Sequence, residues 1–131
     1  MAAETPGKLV LVVDDDDSVR EMLEFIVKKE GFRVETAADG EEGIAKAEKL
    51  SPDLIVLDLM LPRYGGFELL RRLQAGEHKK IPILVVTGRY TDRSTADLIR
   101  QESNVVEFLE KPVRPAVLGA ALQRIIGKRE A

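Results

Sequence analysis

Four short apolar runs in this chain each end in side chains able to do polar chemistry. Leu9–Val13 runs into Asp14 and Asp15, Leu54–Leu57 into Asp58, Ile83–Val86 into Thr87, and Val105–Leu109 into Glu110 and Lys111. Each run is rich in β-branched residues, as a strand buried on both faces requires. If the strands lie parallel, their C-terminal tips share one edge of a sheet, where ligands bind. Asp14, Asp15 and Asp58 gathered there would repel one another unless a hard divalent cation, best Mg2+, neutralised them. Taken singly, each residue has an ordinary reading. Asp14 to Asp17 would be a solvated loop favouring the next helix N-terminus, Asp58 and Thr87 turn caps, and Lys111 a surface lysine before Pro112. Taken together, carboxylates, a hydroxyl and an ammonium are the groups that phosphoryl transfer uses.

The elements that must position these residues alternate along the chain. Phe32–Ala37 sets Phe32, Val34 and Thr36 against Arg33 and Glu35, the alternation of an edge strand with one solvated face. Between the strands lie helical stripes. Val19, Met22, Leu23 and Ile26 have i, i+3, i+4, i+7 spacing, with Gly31 as the stop. Ser18 with Glu21 has capping-box spacing there, and Asp17 is the alternative cap. Asp39 and Glu42 repeat the box before Ile44, Ala47 and Leu50, and Pro52 blocks continuation. Phe67, Leu70 and Leu73 form a third stripe, and Ser94 to Glu102 a weaker fourth. Pro115 opens a fifth over Leu118, Ala121, Leu122 and Ile125, closed by Gly127. Five strands alternating with five helices predict an α/β fold: a five-stranded parallel sheet with right-handed crossovers and helices on both faces.

The chain has 131 residues, enough for one domain with one core. A hydrophobic share of 44% beside a charged share of 33% argues for a globular domain over a disordered one. We read residues 1–7 as a tail, 8–127 as the domain and 128–131 as a second tail or the start of a linker. The absence of cysteine excludes disulfides and thiolate chemistry and suits a cytoplasmic protein. The first apolar run is too short for a signal peptide or a membrane span. A net charge of -3 gives no electrostatic case for direct nucleic acid binding. His78, the only histidine, precedes a strand and so lies away from the acidic edge.

Four segments in order, Val12-Val13-Asp14-Asp15, Asp58-Leu59-Met60-Leu61-Pro62 with Gly66, Val85-Val86-Thr87-Gly88 and Phe108-Leu109-Glu110-Lys111-Pro112, resemble the receiver domain of two-component response regulators. The resemblance spans nearly the whole chain. It implies a flavodoxin-like strand order 2-1-3-4-5, which sets Asp14 and Asp15 beside Asp58. It also implies roles. Asp58 would be the phospho-acceptor, Asp15 a direct Mg2+ ligand, Asp14 a ligand through water, and Met60 a ligand by its backbone carbonyl. Lys111 and Thr87 would hold phosphoryl oxygens. Thr87 and Phe108 would form the switch, changing the face made by the fourth helix, fifth strand and fifth helix. Met60 and Arg89 occupy positions that set phosphoryl lifetime; neither activates water, so slow self-dephosphorylation is expected.

The resemblance further implies a non-enzymatic switch. Its phosphoryl donor would be a histidine kinase or histidine phosphotransfer protein, and its output partner is unspecified. No membrane association is expected, and the state would be monomeric or a weak phosphorylation-dependent dimer. Gly119-Ala120-Ala121 would let a partner helix approach closely, or would pack on the sheet. Gly65 and Ser103-Asn104 depart from the common pattern, which touches the signalling face rather than the acidic site. A Mg2+-dependent phosphatase with an aspartyl nucleophile is a rival, but such enzymes need a cap for which the chain has no room. A receiver used only as a scaffold is a second rival. A flavin carrier shares the fold class but needs a hydroxyl-rich phosphate loop that is not evident.

Overall fold

A computed structural model describes residues 7–58, 71–73, 81–88 and 105–127. Three of the apolar runs form strands in which every residue is buried: β1 (Leu9–Val13), β3 (Leu54–Asp58) and β4 (Ile83–Thr87). With β2 (Arg33–Ala37) and β5 (Val105–Glu110) they make one parallel sheet in the order β2-β1-β3-β4-β5. This is the predicted order. β2 is an edge strand with Arg33 and Glu35 exposed, as its alternation requires. It begins one residue later than predicted, because the Phe32 amide donates to Val27 O and belongs to the turn closing the preceding helix.

β5 carries one irregularity. Ile83 pairs with Val105 but Leu84 pairs with Glu107, so Val106 is an extra residue bulged out of the ladder and 43% exposed. In a regular strand Val105 and Phe108 would face opposite sides. Here both pack against the same cluster, and Leu109 turns to the other.

The helices follow their stripes. α1 (Asp17–Lys29) is capped by Asp16, whose carboxylate accepts from the Val19 amide at 3.0 Å. This corrects the expected Ser18 box and the Asp17 alternative. The backbone is still extended at Asp16 and already helical at Asp17, so the side chain reaching the orphan amide is that of Asp16. The helix ends at Glu30, with Gly31 at φ +95, the left-handed position that favours glycine. α2 (Gly40–Leu50) has the predicted cap. Asp39 accepts from the Glu42 amide, and the Glu42 carboxylate accepts from the amide of Ala38 rather than from Asp39 itself, each at 2.8 Å. α3 (Pro115–Ile126), the fifth helix of the sequence reading, has Pro115 in its first turn.

Two clusters bury the two faces of the sheet. Leu23, Ile26 and Val27 of α1 and Leu118, Ala121 and Leu122 of α3 cover Val10, Val12, Leu54 and Val56. Ile44 and Ala47 of α2, with Leu73, cover Leu11, Val13, Ile55 and Leu57. Residues 71–73 are helical; the rest of the third predicted helix, and all of the fourth, lie outside the described residues. Gly119 and Ala121 face inward and serve packing within the domain, while Ala120 is exposed. Glu30 lies over Gly119, where a methyl group would collide with its carboxylate, and Gln123 Nε2 donates to Glu30 Oε1 at 2.9 Å. No helix among the described residues is long and apolar enough to cross a membrane.

Candidate functional site

The site is built by strand pairing. Val13 is level with Leu57 across β1 and β3, so the residues that follow, Asp14 and Asp58, emerge side by side. One carboxylate oxygen from each of Asp14, Asp15 and Asp58 lies within 4.8 Å of the others. Asp14 is fully buried, Asp58 is buried, and Asp15 is exposed. Lys111 reaches over from the far end of β5. Its Nζ lies 3.1 Å from Asp14 Oδ2 and 3.2 Å from Asp58 Oδ2. The Lys111 amide donates to Thr87 O at 2.7 Å, fixing the two strand ends together. Thr87 is buried at the tip of β4, and Phe108 is half-buried against the cluster on the α2 side.

The electrostatics follow from burial and crowding. Asp14 Oδ1 accepts from the Asp16 amide at 2.9 Å. Asp14 Oδ2 has no hydrogen-bond partner, because the nearby ammonium sits off the direction of a good bond. Burial pushes the Asp14 carboxyl above its ordinary range, and the Asp58 charge adds to this. The Asp16 amide and Lys111 oppose the shift without cancelling it. Burial works against the Lys111 cation, but the charges of Asp58 and Asp14 outweigh it and hold its pKa above the ordinary lysine value.

Such a donor set fits a hard cation. It is all oxygen, it carries excess negative charge, and one buried oxygen lacks a hydrogen bond. Five of the sequence-derived site residues, Asp14, Asp15, Asp58, Thr87 and Lys111, thus fall on one sheet edge, with Phe108 on the adjoining strand. Met60 and Arg89 lie outside the described residues, as do Gly65, His78, Ser103 and Asn104. The sequence reading missed Arg20. Its guanidinium NH1 donates to the Asp14 carbonyl at 2.9 Å, and NH2 pairs with the Asp17 carboxylate. The only signal was the spacing of Arg20 three residues after Asp17 on a helix.

Comparison with known proteins agrees with this geometry. A family profile described as the response regulator receiver domain matches residues 10–123. The chain is 38% identical over 124 residues to the transcriptional regulatory protein AfsQ1 of Streptomyces coelicolor, covering 93% of this chain and 53% of that one. It is 35% identical over 128 residues to the DNA-binding response regulator MtrA of Mycolicibacterium smegmatis, covering 97% and 54%. It thus spans about half the length of these relatives. Among solved structures, a putative response regulator from Chloroflexus aurantiacus superposes with a TM-score of 0.83 at 34% identity, covering 95% of this chain and 100% of that one. The receiver domain of the sensor histidine kinase PA1611 from Pseudomonas aeruginosa, with a magnesium ion in its active site cleft, gives 0.82 at 28% identity, covering 93% and 99%.

One expectation is corrected by these relatives. Low charge argued against direct nucleic acid binding, yet MtrA is a DNA-binding response regulator. The net charge of -3 counts these 131 residues alone and carries no information about proteins nearly twice as long. The fold, the acidic edge and the matched profile lead to one assignment: this chain belongs to the response regulator receiver domain family.

Proposed function

We propose that Asp58 accepts a phosphoryl group from a phosphohistidine on a histidine kinase or phosphotransfer protein, in a Mg2+-dependent reaction that switches the domain. The observation carrying this reading is the setting of Asp58, with an ammonium 3.2 Å from Oδ2 and oxygens of Asp14 and Asp15 within 4.8 Å. A bound Mg2+ would offset the charge of the phosphoryl oxygens; Asp15 and Asp58 would hold it directly, Asp14 through water, and Met60 by its carbonyl. Asp58 then acts as nucleophile. Its oxygen forms the new O–P bond as the N–P bond to the imidazole breaks, and the imidazole leaves with the electron pair and takes up a proton. Lys111 stays a cation throughout and passes from carboxylate to phosphoryl oxygen. Thr87 donates its hydroxyl to a second oxygen.

The phosphoryl group adds a charge of about -1.5 to -2 and three acceptor oxygens. Movement of Thr87 toward them draws on the strand that pairs with β5, and Phe108 sits opposite Val85 on that partner. The switch biases a pre-existing equilibrium, with a coupling of about 1–3 kcal/mol. The domain in this reading catalyses only its own phosphoryl transfer and slow self-dephosphorylation. Intact-mass analysis after incubation with a small acyl phosphate tests the reading. One phosphoryl group should add in Mg2+, and none in excess chelator or in Asp58→Asn. Equal modification with and without chelator, or in Asp58→Asn, would overturn it.

A further inference from the structure

Asp15 poses a positioning problem that the rest of the site does not share. Asp14 and Asp58 are buried and held by Lys111 and, for Asp14, by the Asp16 amide, but Asp15 is exposed. Among the described residues no hydrogen bond or ion pair fixes its side chain. Its place in the oxygen cluster is therefore set by the backbone on either side of it. On the N-terminal side the Asp14 amide donates to Ala37 O at 3.1 Å. On the C-terminal side the Asp16 amide donates to Asp14 Oδ1, and the Asp16 carboxylate accepts from the Val19 amide. One side chain spans the whole loop. Arg20 is mostly buried at 19% exposure, and its two terminal nitrogens hold the Asp14 carbonyl and the Asp17 carboxylate, the residues on either side of Asp15-Asp16.

We infer that Arg20 is a positioning residue: its guanidinium braces the loop from Asp14 to Asp17 and thereby presents Asp15 to a divalent cation. The inference rests on reading the acidic cluster as a cation site. Charge alone predicts the opposite effect, since a cation beside the cluster repels Mg2+. The fork geometry matters because NH1 and NH2 reach two anchors at once, which a lysine ammonium at the end of a flexible stem does not reproduce.

Mg2+ titration followed by the backbone amide signals of Asp15 and Asp16 in NMR spectra tests this on folded wild type, Arg20→Lys and Arg20→Met. Both variants should bind Mg2+ about tenfold more weakly, the lower end of what is lost when a group orienting a metal ligand is removed. Lysine, although it keeps the charge, should not rescue. Wild-type affinity in both variants would overturn the inference even if their urea midpoints fall, because that is the result of a structural role alone. Tighter binding by Arg20→Met with wild-type binding by Arg20→Lys would also overturn it, by showing that Arg20 acts only as a charge. If wild type itself gives no Mg2+-dependent shifts, the cation-site reading fails first, and the inference falls with it.

Discussion

Replacing Asp14 by Asn should stabilise the metal-free protein and remove much of its response to Mg2+. The Asp14 carboxyl is raised above its ordinary value, chiefly by burial and then by the charge of Asp58. A carboxyl raised in the folded state binds its proton more tightly there than in the unfolded chain. Its ionised form therefore costs stability above that pKa, and the cost vanishes as pH falls through it. Asn keeps the shape and the acceptor for the Asp16 amide and leaves Lys111 paired one-to-one with Asp58, although its NH2 then faces the ammonium and the lysine head must swing toward Asp58. A buried polar group without its hydrogen bond costs about 1–3 kcal/mol, and about 1 kcal/mol is the fitting figure for Asp14 because Lys111 already offsets part of its charge. In Mg2+ at a hundred times its dissociation constant, wild type gains about 2.7 kcal/mol. A variant binding tenfold more weakly gains about 1.4 kcal/mol, so the lead of the variant closes to nearly nothing. The chain has no Trp, so urea denaturation followed by far-UV circular dichroism is the assay. In chelator at neutral pH the variant should lead, and the lead should shrink both on adding Mg2+ and on lowering pH. A variant less stable than wild type in chelator, or a lead unchanged by Mg2+, would refute the reasoning.

Two further predictions concern the switch and its lifetime. Thr87→Ala should leave Asp58 phosphorylation largely intact while removing the signal at the output face, read as phosphorylation-dependent shifts in the NMR amide resonances of β5 and α3; full shifts in the variant would remove Thr87 from the switch. Met60→Asn should speed loss of the phosphoryl group about tenfold or more, by offering attacking water a hydrogen-bonding partner. An unchanged decay followed by intact mass would show that Met60 does not set the lifetime.

The sheet and its acidic edge were legible because two signals coincide in them. Runs such as Leu54–Leu57 lack alternation, which marks burial on both faces, and each gives way to a polar residue where the strand leaves the sheet. What was not legible depends on reach and on local backbone. Asp16, Asp17 and Ser18 are all of a residue type that caps helices, and only the turn from extended to helical backbone after Asp16 selects among them. Arg20 acts backward across six residues to the Asp14 carbonyl, a contact that helical periodicity does not encode. The inward face of Gly119 is decided by where Glu30 comes to lie, from a part of the chain distant in sequence. The bulge at Val106 sits in a run of mixed apolar and charged residues, where no alternation marks an extra residue.

That bulge governs how this domain can be recombined with its relatives. A donor strand of the same length but without the bulge would still pair with β4 and yet exchange the two sides of the sheet for Phe108, Leu109 and all that follows, because a strand's two faces alternate with a count of two. A chimaera that exchanges this strand must therefore conserve parity as well as sequence. Otherwise Phe108 would meet the cluster that now receives Leu109.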